Sequence, residues 1–401
     1  MPIKEDPLIA RAERVLFGNY ARFPVAFKKG RDCRLLDRDG KEYLDFTAGI
    51  AVTSLGHCHP QVTVALQKQA QRLLHTSNLF YTEPQVELAE ALTAASFADR
   101  VFFCNSGAEA NEAAIKLARK HMGPGRHEII TMTRSFHGRT LTTMAATGQD
   151  KVKEGFDPLP PGFIHVPFDD IDAVKKAIGP ATAAIMVEPI QGESGIRIPD
   201  KGYLPDLRAL CDQEGLLLIF DEIQTGIGRT GSLFAYEQEG VVPDVMTLAK
   251  GLGNGVPIGA MLAREDVAEA LGPGTHGSTF GGGPLVCAAA LAVIQALRDD
   301  PWFLENTLRM GARLMQGLEA IRKRTDSIRE VRGRGLLIGI ELTLPARDVA
   351  SACIERGLLI PTAGTEVVRF LPPLTVRDAD VDIALETFEE VLKTAAATAR
   401  K

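Results

Sequence analysis

Four short apolar runs constrain this chain more than any other feature: Glu128 to Thr133, Ala183 to Glu188, Leu216 to Asp221, and Val245 to Ala249. Each is too brief for a stable helix and nearly continuous in its apolarity, the pattern of strands buried on both faces. Between or beside them lie segments with apolar residues at three- and four-residue spacing: Ala108 to His121, Asp170 to Ala177, and Tyr203 to Gln213. Strand alternating with helix predicts an α/β fold with a mainly parallel sheet. Ligands on such sheets sit beyond the carboxyl ends of the strands. The residues that close each run are therefore the candidates for chemistry.

After Pro284 the pattern changes to two long helical segments, Leu285 to Arg298 and Trp302 to Arg324. The strands LLIGIEL and VVRFLP follow, and a closing helix starts at Ala379. This predicts a smaller α+β unit over 285–401 beside a large unit over 61–284, with residues 1–60 packing as an N-terminal segment against the smaller unit. A chain of 401 residues has the length to bury two such units. Gly- and Pro-rich residues 272–284 mark the expected junction.

Composition narrows the function classes. A net charge of -6 disfavours a nucleic-acid partner, whose backbone draws on clustered Lys and Arg. The longest apolar stretch, Pro284 to Leu297, is broken by Gln295 and falls short of the roughly 18 residues of a membrane span. The N-terminus, MPIKEDPLIARAERV, has no apolar core of a secretory signal. Six scattered cysteines without a CxxC pair fit neither a zinc site nor a disulfide scaffold, so a cytoplasmic location is expected.

LLLIFDEIQ delivers Asp221, and shortly after it Gln224, beyond the end of one strand; DVMTLAKGLGNG delivers Lys250 beyond another. An amine in a partly dry site loses its proton more easily and attacks aldehydes. Pyridoxal 5′-phosphate carries such an aldehyde, and an aspartate facing its pyridine nitrogen would keep the ring an electron sink. The phosphate needs a seat, which NSGAEANEAAIKLARKH offers. Asn105 and Ser106 can cap a helix whose first amides belong to Gly107 and Ala108. In SFHGRT, Phe136 could lie on the ring and Arg139 could clamp a carboxylate. Alone, each of these reads as an ordinary cap, core aromatic or surface arginine; together they describe one site.

At this point the motifs resemble a family. NSGAEANEAAIKLAR, SFHGR, VEPIQGE, DEIQTGIGRTG, TLAKGLGNGVPIGA, THGSTFGGGP and RGRGLLIGIEL follow the order seen in the class III pyridoxal-phosphate aminotransferases, from about residue 10 to the last helix. GIAVTSLGHCHP and HTSNLFYTEPQ are similar to the acetylornithine branch of that class. The resemblance implies the fold-type I architecture and a homodimer with shared active sites. It implies acetylornithine as amino donor and 2-oxoglutarate as acceptor, in arginine biosynthesis, with succinylornithine, succinyl-diaminopimelate, ornithine or 4-aminobutyrate as alternative donors.

By the same resemblance Lys250 is the Schiff-base lysine, Asp221 the pyridine partner and Gln224 the neighbour of the phenolic oxygen. Ser106, Gly107 and Ala108 belong to the phosphate seat, and Phe136 stacks on the ring. Thr279 holds the phosphate of the neighbouring subunit. Ser278 and Arg139 meet substrate, with Arg139 on the α-carboxylate. Glu193 and Arg369 resemble a switch pair in which the glutamate masks the arginine until a glutamate-type substrate arrives. Ornithine aminotransferases carry a tyrosine where this chain has Ile50, which leaves a free α-amino group without a partner and favours an N-acylated ornithine. One departure is Gly283, where the family usually has asparagine.

Two rivals are weaker. Gly226, Gly228 and Gly231 in GIGRTG satisfy a dinucleotide-binding pattern of a nicotinamide oxidoreductase. That fingerprint needs a helix next and an acidic residue closing the next strand, whereas SLFAYEQEG is short and Asp244 opens its strand. His57 and His59 flank Cys58, but no second ligand cluster accompanies them, so a satisfied loop is expected and no metal.

Overall fold

The computed structural model describes residues 6–399. Near its N-terminus, β1 (Phe27–Arg31), β2 (Arg34–Asp37) and β3 (Glu42–Asp45) form an antiparallel ribbon. The central sheet then uses β4 (Arg100–Cys104), β5 (Glu128–Met132), β6 (Phe163–Val166), β7 (Thr182–Val187), β8 (Leu217–Asp221), β9 (Val245–Leu248) and β10 (Gly259–Ala263). Its order is β4-β10-β9-β8-β7-β5-β6.

From β9 across to β6 every pairing is parallel, as the continuous apolar runs predict. Every residue of β7, β8 and β9 is buried. Alternation along these strands splits the core. Ile185, Val187, Leu218 and Phe220 face one layer, while Ala184, Met186, Leu217 and Ile219 meet Ala113, Ala114 and Leu117 of the helix Gly107–Met122 on the other. Three strands lay outside the sequence expectation: β4, β6 and β10. Of these, β10 runs antiparallel to both β9 and β4.

The remaining strands are β11 (Ile328–Arg334), β12 (Leu337–Leu342), β13 (Leu358–Leu359), β14 (Thr362–Ala363) and β15 (Val367–Phe370). A small antiparallel sheet takes the order β11-β12-β15-β14, and β13 joins the N-terminal ribbon by pairing parallel with β3. Residues 27–45 thereby share a sheet with the C-terminal part of the chain. The helix Pro284–Asp299 packs against the helices Pro60–Ala70 and Glu83–Thr93, whereas Trp302–Arg322 packs on β11 and on the closing helix Asp378–Ala399. Among the described residues no helix is long and apolar enough to cross a membrane.

Candidate active site

Strand ends assemble the site. Asp221 closes β8, Glu188 follows β7, Phe136 to Arg139 follow β5, and Lys250 opens the short 3₁₀ turn after β9. They line a cavity of about 440 Å³ together with Ser106, Gly107, Ala108, Glu193 and Gln224.

Asp221 is 3% exposed and fully engaged. Its Oδ2 accepts from Asn111 Nδ2 at 2.8 Å and lies 2.7 Å from His137 Nδ1, while Oδ1 accepts from the Ile223 N–H at 3.1 Å. A carboxylate acceptor makes Nδ1 the protonated nitrogen of His137. Asn111 also donates to the His137 carbonyl at 2.7 Å and accepts from Thr247 Oγ1 at 2.7 Å. Sequence reasoning missed both His137 and Asn111. The available signal was an asparagine inside an alanine-rich helix, four residues from Gly107 and hence on the same face.

Lys250 is held in the left-handed region, φ 44°. Burial depresses its pKa, and Arg369 pushes in the same direction, against the opposing pull of Glu193, Asp221 and Glu188. Glu193 bridges to Arg369, with Oε1 to Nη1 at 2.8 Å and Oε2 to Nη2 at 3.3 Å. Arg369 is 1% exposed, and its guanidinium also donates to the carbonyls of Gly192 and Thr362, both at 3.2 Å. Gln224 Nε2 donates to the same Glu193 Oε1 at 2.9 Å. Burial alone would raise the Glu193 pKa, but Arg369 and Lys250 outweigh it and bring it to about 2.

Glu188 accepts from the Phe136 and Gly192 N–H groups at 3.1 and 3.4 Å. Burial, and then the neighbouring Asp221 charge, hold its carboxyl well above the usual range. It too was absent from the sequence expectation, although it stands in the VEPIQGE segment.

The helix Gly107–Met122 begins as expected. Ser106 Oγ accepts from the Glu109 N–H at 3.2 Å, and the Glu109 carboxylate accepts from the Asn105 N–H at 2.5 Å. The first-turn amides of Gly107 and Ala108 have no acceptor inside the helix and face the cavity. A Cβ on Gly107 would come within 2.7 Å of Ile223 Cδ1, so a side chain there would have to push the isoleucine aside. Arg139 is exposed, its guanidinium carbon 5.5 Å from the centre of the Phe136 ring.

Four expected residues lie off this cavity, among them Arg369, which is buried behind Glu193. Thr279 lines a separate small pocket with His75, Asn78 and Phe80. Ser278 stands near the cavity edge, its Oγ accepting from Asn105 Nδ2 at 3.2 Å and from the Gly281 N–H at 3.0 Å. Ile50 is partly exposed in a left-handed turn, and Val52 takes the wall position instead. The GIGRTG glycines serve a turn, with only the four-residue helix Tyr236–Glu239 after them. Asp244 is spent on Arg208, Arg264 and the Leu218 N–H, so no ribose contact is left to it. His57 is satisfied by Asp45 at 2.7 Å.

The residues fit pyridoxal 5′-phosphate. A helix start with two unspent amides can seat the phosphate, and a pocket wall tight at Gly107 admits a flat ring. Lys250 is an amine of depressed basicity, and Gln224 Oε1 is buried on the wall with no hydrogen-bond partner.

Such a sheet, with such residues at its strand ends, defines a fold-type I pyridoxal-phosphate enzyme, and residues 17–392 match the class III aminotransferase family: the chain belongs to that family and is an aminotransferase that uses pyridoxal 5′-phosphate. It is 51% identical to the acetylornithine aminotransferase of Methanocaldococcus jannaschii, covering 93% of this chain and 94% of that protein. It is also 51% identical to the acetylornithine aminotransferase of Myxococcus xanthus, over 94% of this chain and 95% of the relative. The ornithine aminotransferase of Toxoplasma gondii superposes with a TM-score of 0.95 at 37% identity, over 99% of this chain and 96% of its own. The acetylornithine aminotransferase of Elizabethkingia anophelis gives 0.87 at 33% identity, over 96% and 98%.

Proposed function

We propose that the enzyme moves the δ-amino group of N2-acetyl-L-ornithine to 2-oxoglutarate, giving N-acetyl-L-glutamate 5-semialdehyde and L-glutamate in arginine biosynthesis. The observation that carries this reading is the Glu193–Arg369 pair, in which Glu193 lines the cavity with Lys250 and Arg369 is buried behind it. One pocket must accept a neutral acylated donor and then a dicarboxylate. With Glu193 in place the arginine is masked; when Glu193 swings aside Arg369 is free to grip the acceptor's α-carboxylate bidentately, while its distal carboxylate falls toward Arg139. Relatives named acetylornithine aminotransferase over nearly the whole chain support the same donor.

When bound, pyridoxal phosphate supplies an aldehyde for the amino group and a ring that takes up electrons released at the substrate carbon. Gly107 and Ala108 seat the phosphate, and Ser106 fixes the helix that presents them. Phe136 would cover one ring face, Asp221 would keep the pyridine nitrogen protonated, and Gln224 would lie by the phenolic oxygen. Asn111 and His137 are positioning residues for Asp221. Lys250, its basicity lowered, is the amine that would hold the cofactor, and its Nζ would serve as the proton carrier at the substrate carbon. Arg139 takes the α-carboxylate at the rim, with Ser278 nearby.

We further read the enzyme as a homodimer in which Thr279 completes the neighbour's phosphate seat; its position off its own cavity supports this. Six free cysteines, five of them buried, support a reducing location such as the cytoplasm.

A donor panel at fixed 2-oxoglutarate tests the reading. Acetylornithine is expected to give the highest kcat/KM against succinylornithine, succinyl-diaminopimelate, ornithine and 4-aminobutyrate. A clear preference for free ornithine or 4-aminobutyrate would overturn it.

A further inference from the structure

Arg332, in the RGRGLLIGIEL segment, lies outside the cavity, yet all but 12% of its side chain is buried. Its place is set by register. Arg332 of β11 pairs with Gly339 of β12, and Gly339 pairs with Arg369 of β15. Residues directly opposed on neighbouring antiparallel strands point to the same face, so the two arginines stand in one row with a glycine between them.

The loop that carries Glu193 crosses this row. Gly339 clears the floor for it: a Cβ there would meet the Gly195 carbonyl oxygen at 2.8 Å and Ile196 Cβ at 3.0 Å. On one side Arg369 Nη1 donates to the Gly192 carbonyl at 3.2 Å and to Glu193 Oε1 at 2.8 Å. On the other side Arg332 Nε donates to the carbonyls of Gly195 and Ile196, both at 2.9 Å. Nη1 of Arg332 donates to Glu341 at 2.9 Å and to Glu330, which fixes the plane of the guanidinium.

The loop is held in a shape it would not keep unaided. Gly195 has φ +99° and Ile196 φ +57°, a region that a β-branched residue enters only where its surroundings fix it there. Ile196 is buried in one cluster with Leu337 and Leu371, and the loop base is closed by Gln191 and Arg197, whose N–H and carbonyl groups pair at 3.0 Å in both directions. When the Glu193 side chain turns away, Arg369 gives up a carboxylate. The contacts of Arg332 are made to backbone and stay as they are.

We propose that Arg332 is a positioning residue for the substrate switch: it pins the backbone of the Glu193 loop to the sheet that carries Arg369, so that unmasking is a rotation of one side chain and the mask returns to one place. The inference rests on the switch reading of Glu193 and Arg369. The reacting end of acetylornithine carries no carboxylate and needs Arg369 covered, whereas the α-carboxylate of glutamate needs it bare. A mask on a loosened loop therefore harms the donor half-reaction more than the glutamate one.

The test measures kcat/KM with acetylornithine and with glutamate in separate half-reactions of the holoenzyme, for wild type, Arg332→Gln, Glu193→Gln and the double variant, with thermal unfolding recorded for each. Arg332→Gln is expected to lower the ratio of acetylornithine to glutamate kcat/KM about tenfold. In the Glu193→Gln background it should change that ratio less than about twofold, since no mask is left to place. Hydrogen exchange of the 192–197 amides should quicken in Arg332→Gln and stay as in wild type in Glu193→Gln. Gly195→Ala, whose Cβ would press on Arg332 Nη2 at 3.2 Å, decides the matter on the same ratio should Arg332→Gln not fold. Equal losses in both half-reactions, two substitutions whose effects on the ratio simply multiply, or unchanged exchange in Arg332→Gln would overturn the proposal. A ratio that Glu193→Gln itself leaves unchanged would refute the switch reading, and the proposal with it.

Discussion

Asp221 can orient a ring nitrogen only if its own oxygens are fixed, and Asn111 with His137 fix one of them while the Ile223 amide fixes the other. Asn111→Leu would strand Asp221, Thr247 and the His137 carbonyl at once, and each buried group left unpaired costs about 1–3 kcal/mol. We predict lowered urea stability and a comparable loss of kcat/KM in both half-reactions, since the aspartate serves both; a loss in one half only would count against this role. Glu193 makes a pH prediction. Its folded pKa of about 2 lies below the ordinary 4.5, so its contribution is fully present above about pH 4.5 and disappears as pH falls toward 2. The stability gap between wild type and Glu193→Gln should therefore be flat near neutrality. It should narrow by about 1.4 kcal/mol per pH unit in acid, as chemical denaturation across pH would show. Lys250 and Asp221 were legible because each ends an apolar run. Asn111 was not, because a hydrogen bond between a helix and a strand 110 residues apart leaves no local pattern, whereas Glu188 closes an apolar run just as Asp221 does and was passed over.

The helix Gly107–Met122 supplies both an anion seat and a layer of core. Its sequence shows why it starts where it does: Ser106 caps it, and Glu109 returns to the Asn105 amide. Ser106→Ala should cost about 1 kcal/mol in stability. It should also weaken cofactor binding measurably in a fluorescence titration, because the cap and the phosphate amides share one turn. Unchanged affinity would detach the cap from the seat. The parallel strands were legible as elements because burial on both faces makes them apolar throughout. β10 was not: Gly259–Ala263 is equally apolar, and nothing local distinguishes a strand that runs the other way. Arg332 was hidden for a related reason. It sits among the other charged residues of β11, and its purpose appears only when Gly195 and Ile196 arrive from the loop after β7.

Over the whole molecule, the segment from Leu79 to Tyr81 stands out as an exposed apolar run. Leu79 is 84%, Phe80 66% and Tyr81 95% exposed, and Phe280, beside Thr279, is 67% exposed. A contiguous apolar patch of this kind marks an interface, and its neighbour Thr279 has no work to do within its own subunit's cavity. Leu79→Asp with Tyr81→Asp is predicted to shift the protein toward monomer in analytical ultracentrifugation and to lower activity and cofactor retention together. A fully active monomer would refute the shared site.

The order of the central sheet bears on how the enzyme is made. β4 leads directly into the phosphate seat, yet its only neighbour in the sheet is β10, at residues 259–263. A translating ribosome must deliver the chain past Ala263, and clear it from the exit tunnel, before β4 has anything to pair with. The strand that leads into the phosphate seat therefore takes its place in the sheet only once residues 259–263 are available to pair with it.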